Sequence, residues 1–263
     1  MTNRQQLLAL YRACFPEDPP AFWEWIFDRV YRPENTLNIR ENNRIIASLQ
    51  MIPCTMRYEG HDYPAHYIYA ASTLPQRQGR GLMADLLKQA AERGRQKGHV
   101  FSVLITQEDS LLGYYDRFGY EDRFVIGLQQ PSYMALELGQ NCRRAVEEDI
   151  AAMNAIFERE TCGMLHGARF AEDWLLQLEL FGDGAQVLEQ NGSVTAYAFS
   201  DERGIMEAAG SAAAVLAAQV CPGQKWRSIP QKGGTPMGSI KPLRDDIRPL
   251  MEQNRCYLNL MFN

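Results

Sequence analysis

"STLPQRQGRGLMADLLKQAAERGRQKG", residues 72–98, decides how the rest of the chain is read. It opens as the end of an apolar strand and passes two glycines, Gly79 and Gly81. It then becomes an amphipathic helix with Leu82, Met83, Leu86, Leu87, Ala90 and Ala91 at helical spacing, and Gly98 is placed to end it. A strand that turns through glycine into a helix leaves the first helical N–H groups without partners. Those groups and the helix dipole together attract an anion.

Three anions are candidates. A nucleotide P-loop needs Gly-Lys-Ser/Thr at its end, and Gly81-Leu82-Met83 is not that. A dinucleotide fold is nearer, because Gly79, Gly81 and Ala84 satisfy G-x-G-x-x-A. That motif normally opens a domain, however, and here a long segment precedes it, with Pro75-Gln76-Arg77-Gln78 inserted before the glycines. The next acidic pair, Glu108-Asp109, also lies too far along to hold a ribose. The third candidate is the pyrophosphate of coenzyme A, lying on the amides of Gly79, Arg80, Gly81, Leu82 and Met83. A tight turn with no ligand is the plain alternative.

The flanking pattern is α/β. Leu7, Leu10, Tyr11 and Cys14 share a helical face, and Pro19-Pro20 breaks the chain before a second, aromatic helix from Phe22 to Phe27. Strands are expected over Thr36 to Arg40, Arg44 to Tyr58 and His66 to Leu74, the last after a break at Gly60, Asp62 and Pro64. Val100 to Thr106 reads as a central strand, Ser110 to Phe118 as a short helix and Phe124 to Gln129 as a further strand. A second cycle follows: strand Arg143 to Val146, helix Glu147 to Glu160, and a hairpin Gln186 to Phe199 around Asn191-Gly192. Strand Gly204 to Ala209, helix Ser211 to Val220, strand Trp226 to Ile229 and the apolar run Cys256 to Phe262 complete it. "YAASTLP" and "MEAAGSA" occupy matching places in the two halves, which suggests an internal duplication. The rival is chance agreement between generic α/β patterns.

Composition sets the bounds. The chain has 263 residues, 46% hydrophobic and 22% charged, with a formal net charge of −5, which argues against general nucleic-acid binding. Six cysteines without a CxxC pair read as reduced thiols of a cytoplasmic protein, and four histidines show no metal-binding spacing. No metal and no membrane span are expected, since the apolar run Ser211 to Val220 is too short to cross a bilayer.

The glycine loop resembles that of the GNAT N-acetyltransferases. Gln78-x-x-Gly81-x-Met83, following strand and Pro75, is similar to their Arg/Gln-x-x-Gly-x-Gly/Ala motif, with Met83 departing from its last position. A second register, Gln76-x-x-Gly79-x-Gly81, fits the letters better and the proline spacing worse. "YYDRFGYED", residues 114–122, resembles a second GNAT segment and is closest to the Eis-type branch, which carries two tandem GNAT-like folds. That resemblance covers nearly the whole chain, whose length leaves no room for the sterol-carrier-like domain of the longer Eis chains.

The resemblance implies a mixed α/β (α+β) fold of two tandem GNAT-like domains, each a central mixed sheet flanked by helices. Residues 1–138 would form the catalytic domain, and residues 139–263 a degenerate one that lacks a glycine loop near Ser211. The donor would be acetyl-CoA, and the acceptor an amine of a small molecule or a protein, attacking directly in a ternary complex. N–H groups near Ser72, Thr73 and Leu74 would orient the pantetheine and polarise the thioester, and Gln78, Gly79, Arg80, Gly81, Leu82 and Met83 would hold the pyrophosphate. Tyr115 would protonate the leaving thiolate, with a core tyrosine as the alternative. The terminal carboxylate of Asn263 is the candidate base, as in Eis-type enzymes, against a last strand that simply meets solvent. A non-catalytic acyl-CoA-binding module is the competing function. Homo-oligomerisation is left open.

Overall fold

The computed structural model describes residues 2–106, 111, 113–231 and 233–259. Two N-terminal helices, α1 (Asn3–Cys14) and α2 (Pro20–Arg29), begin the chain. Thr2 caps α1 by accepting from the Gln5 N–H while Gln5 returns a bond to the Thr2 N–H, and Pro20 occupies the first turn of α2. Then come β1 (Thr36–Glu41), β2 (Arg44–Tyr58), β3 (His61–Thr73), α3 (Leu82–Gln96), β4 (Phe101–Ile105) and β5 (Glu121–Gln129). The second half holds β6 (Gln140–Arg144), α4 (Ile150–Glu160), β7 (Met164–Gly167), α5 (Ala171–Phe181), β8 (Ala185–Gln190), β9 (Ser193–Asp201), β10 (Gly204–Gly210) and α6 (Ala213–Val220). It closes with β11 (Trp226–Ser228), β12 (Thr235–Pro242), α7 (Arg248–Gln253) and β13 (Arg255–Tyr257).

The chain divides into two compact units. Unit 1 comprises residues 1–56, 62–122 and 238–250; unit 2 comprises 57–61, 123–237 and 251–263. In unit 1, β1 runs antiparallel to β2, β3 lies beside β2, β4 runs parallel to β3, and β12 completes the sheet antiparallel to β4. Unit 2 repeats the pattern: β8, β9 and β10 are antiparallel neighbours, α6 crosses over to β11, parallel to β10, and β5 lies antiparallel to β11. The mixed sheets and flanking helices agree with the expected fold class.

The expected division at 138/139 follows chain order, whereas the compact units are interleaved in sequence. β5, at the end of the first repeat, completes the sheet of unit 2, and residues 238–242 of β12 complete that of unit 1. The cause is strand pairing: β4 and β11 each need an antiparallel neighbour on their outer edge, and the backbone hydrogen bonds are satisfied by a strand remote in sequence.

Two local expectations differ. β3 begins at His61 rather than after Pro64, because the turn sits at Glu59 and Gly60, whose φ values are +48° and +77°. The helix expected up to Phe118 is a 3-10 turn over Asp116–Phe118, within the described part of that segment.

The core of unit 1 beside α3 is built from Ala47, Leu49, Met51, Ile68, Leu86, Leu87, Ala90, Leu104, Tyr115 and Tyr120. Helix and sheet approach closely at Gly94, where a Cβ would stand 2.5 Å from His66 Cε1. No helix of the described residues is long and apolar enough to cross a membrane.

Candidate active site

The glycine turn lies where β3 and β4 part. Their parallel register runs Ala65↔Phe101, His66↔Ser102 and Tyr67↔Val103, yet β3 continues to Thr73 and β4 to Ile105. Beyond Tyr67, β4 stays paired with β12, through Ile105↔Gly238. Ala70, a non-glycine residue at φ +48°, bends β3 at this point, and the Ser72 hydroxyl donates to the Ala70 carbonyl over 2.9 Å. The two strands therefore form a wedge that opens toward the loop at residues 74–81.

At the mouth of the wedge the chain makes a 3-10 turn at Pro75–Arg77, then Gly79 and Gly81 adopt φ of +73° and +78°. A Cβ at either glycine would meet nothing within 4 Å, so left-handed backbone rather than crowding demands glycine here. Gly81 is the N-cap of α3. Its own N–H and those of Leu82, Met83 and Ala84 have no acceptor among the described residues. Gln78, Gly79, Arg80 and Gly81 are exposed, whereas Leu82 and Met83 turn inward against the core.

The predicted pantetheine side is more occupied than expected. The Leu74 N–H already donates to the Ile46 carbonyl over 2.9 Å, so it is committed to the sheet. Ser72 is buried and Thr73 half-buried, and the Thr73 carbonyl accepts from Cys14 Sγ and Gln78 Nε2, both over 3.4 Å.

Tyr115 is 8% exposed and shares the core beside α3 with Leu104, Ala71, Leu82 and Met83. The structure thus gathers the end of β3, the start of α3 and Tyr115 around one apolar cluster. The Tyr115 hydroxyl has no hydrogen-bond partner among the described residues, and burial, with Tyr114 second, pushes its pKa up to about 12. The Tyr114 ring lies under the Arg117 guanidinium at 4.2 Å. Asn263 lies outside the described residues.

Sequence reasoning missed the groups that brace this site. Asp122 accepts from the Gly113 N–H over 3.0 Å and from the Ser239 hydroxyl. Lys241 Nζ donates to the Phe118 carbonyl over 2.6 Å, and Tyr120 is bonded to Ser102 over 2.7 Å. Glu41, at the end of β1, accepts from Arg77 Nε over 2.8 Å and also from its Nη2. These are contacts between distant parts of the chain, and no local pattern marks them. Ala70 was equally hidden, since alanine gives no signal for positive φ. Among the described residues, no group of three or more His, Cys, Asp or Glu side chains stands together to hold a metal.

Residues 2–122 match the acetyltransferase (GNAT) domain. No curated protein sequence matches the chain. Among solved structures, a conserved protein of unknown function from Enterococcus faecalis V583, described as a probable N-acyltransferase, superposes with a TM-score of 0.69 at 11% identity, over 91% of this chain and 70% of that one. A GCN5-related N-acetyltransferase from Anabaena variabilis ATCC 29413 gives 0.67 at 16% identity, over 92% and 71%. Eis1 from Mycobacterium abscessus gives 0.64 at 12%, over 94% and 72%. At these identities the likeness is one of fold. Residues 2–122, a little under half of the chain, thus carry the match to an acetyltransferase (GNAT) domain, and that match supports an acyltransferase.

Proposed function

We propose that unit 1 transfers an acetyl group from acetyl-CoA to an amine of a small molecule or a protein, by direct attack in a ternary complex. The observation that carries this reading is the set of unpartnered N–H groups of Gly81, Leu82, Met83 and Ala84 at the mouth of the β3–β4 wedge. They suit a diphosphate, because helix-terminal amides and the helix dipole both favour negative charge. Gly79 and Gly81 keep the approach open, since no side chain rises from either.

The coenzyme, when bound, would supply a thioester carbon open to attack by an amine. Within this reading the loop amides hold the donor, the wedge between β3 and β4 orients it, and the apolar cluster around Leu104 excludes water. Tyr115 gives a proton to the departing sulfur. A hydroxyl whose pKa is raised to about 12 keeps its proton at neutral pH, which fits an acid and not a base. The base is assigned to the terminal carboxylate of Asn263, on the Eis resemblance alone.

The tandem Eis-type arrangement is part of the same proposal, with unit 2 holding no donor. In its equivalent turn, between β10 and α6, the Gly210 N–H already donates to Glu160 Oε1 over 2.6 Å. A carboxylate of the chain itself stands where a ligand anion would approach. Calorimetric titration tests the reading: one acetyl-CoA should bind per chain, and Gly81→Glu should abolish binding by placing a charged side chain on the amide face. Two equivalent sites, or unchanged affinity in Gly81→Glu, would refute it.

A further inference from the structure

The loop at residues 75–81 carries two arginines, Arg77 and Arg80, and both face one carboxylate, Glu41. The two contacts differ. Arg77 presents Nε and Nη2 together to Glu41 Oε2, a two-point contact that fixes the guanidinium plane. Arg80 Nη1 stands 4.0 Å from Glu41 Oε1, too far for a hydrogen bond, and its side chain is 55% exposed. Glu41 itself is anchored by backbone pairing to Arg44 across the Asn42-Asn43 turn, where Arg40 Nη1 donates to the Asn43 carbonyl over 3.2 Å. Within the loop, the Arg77 N–H bonds the Leu74 carbonyl over 2.8 Å and the Gln78 N–H bonds that of Pro75 over 3.4 Å. Glu41 is the acidic group that ties this loop to another element, among the described residues.

We infer that Glu41 is a positioning residue for the donor site: it clamps Arg77 as a strut that sets the glycine turn, and it leaves Arg80 as the cation free to swing onto the donor's phosphates. The inference rests on the proposed seat of the coenzyme. A carboxylate beside an anion site repels the ligand, so a bystander at this position weakens binding and its removal strengthens it. A strut behaves in the opposite way, because losing it lets the loop sample states in which the amides no longer converge. Arg77, with its guanidinium held on Glu41, is not the phosphate ligand in this reading.

The test is a set of coenzyme A titrations on the full chain. Glu41→Gln should raise Kd about tenfold, the equivalent of about 1.4 kcal/mol, with kcat at saturating donor within about twofold. Arg77→Gln should match it, and the double variant should be no worse than either single one, because both remove the same contact. Arg80→Gln should weaken binding at low salt and matter little near 0.5 M salt, as an exposed cation acting on a charged ligand would (about 4 Å of Debye screening at that ionic strength). Thermal stability should barely move, since a partly exposed ion pair contributes little to folding. Tighter or unchanged binding in Glu41→Gln, or additive losses in the double variant, would overturn the strut while leaving the donor site intact. If the wild-type chain binds no coenzyme A, the proposed donor site fails and the strut fails with it.

Discussion

Removal of the Tyr115 hydroxyl is the perturbation that speaks most directly to the chemistry. Tyr115→Phe deletes one oxygen and leaves the ring, which is packed edge-on against Tyr114 at 5.0 Å and Tyr120 at 5.9 Å. The hydroxyl makes no hydrogen bond among the described residues, so folding loses none, and stability should shift by no more than about 0.5 kcal/mol. The wedge and the loop amides are untouched, so acetyl-CoA affinity should hold. Turnover is different. Loss of a general acid lowers kcat about 10²- to 10⁴-fold, or about 2.7–5.5 kcal/mol in the transition state. The assay follows free thiol release from saturating acetyl-CoA across a panel of amines. Tyr114→Phe is the control and should be mild, because the Tyr114 ring is engaged by Arg117 whether or not it carries a hydroxyl. The pH profile adds a second reading. An acid with a pKa near 12 stays protonated through the working range, so Tyr115 should contribute no falling limb below about pH 10. A Tyr115→Phe enzyme within about threefold of wild type would refute the assignment. A severe Tyr114→Phe with a mild Tyr115→Phe would move the acid one residue along the chain.

Acid stability should depend on His66, whose pKa falls to about 3 through burial first and then His99 and Lys97. Its folded form prefers the neutral ring, so this stability is complete above the unfolded value near 6.5 and is lost as pH falls toward 3, by about 1.4 kcal/mol per pH unit. Urea melts from pH 7 to 4 should show that slope, shallower in His66→Asn, with part remaining from His99 and His166, which are depressed in the same direction; an unaltered slope would exclude His66 as the source. In unit 2, Arg169 and Glu207 form a buried pair at 2.6 Å, with Tyr197 and Tyr257 also donating to the carboxylate. Glu207→Gln should cost about 3–5 kcal/mol by chemical denaturation, while replacing both partners by apolar residues should cost less, and equal losses would argue against an uncompensated charge as the cause. A fragment ending at residue 138 lacks the Gly238–Pro242 strand and with it Ser239 and Lys241, so it should show no cooperative melt; a sharp transition with full coenzyme affinity would contradict the sheet assignment.

The sequence by itself determined the elements whose cause is local. Leu86, Leu87, Ala90 and Ala91 recur at helical spacing because α3 lays that face on the sheet, and all four are buried. Asn191-Gly192 marked a hairpin because both residues adopt positive φ, at +52° and +80°, as few other pairs do. Gly79 and Gly81 were legible for the same reason. Only the tertiary structure decided the rest. β7 and α5 went unread: β7 is four residues long and buried throughout, so no periodicity announces it. β12 went unread because its role is to pair with β4, and a pairing partner leaves no mark on its own sequence. The bend at Ala70, the engagement of the Leu74 N–H by Ile46, the grip of Glu41 on Arg77 and the buried Arg169–Glu207 pair have the same origin. Each joins or answers to groups that meet only in the folded chain. Backbone conformation and helical period are properties of neighbouring residues, whereas hydrogen-bond partners and charge neutralisation are settled by what packing brings alongside.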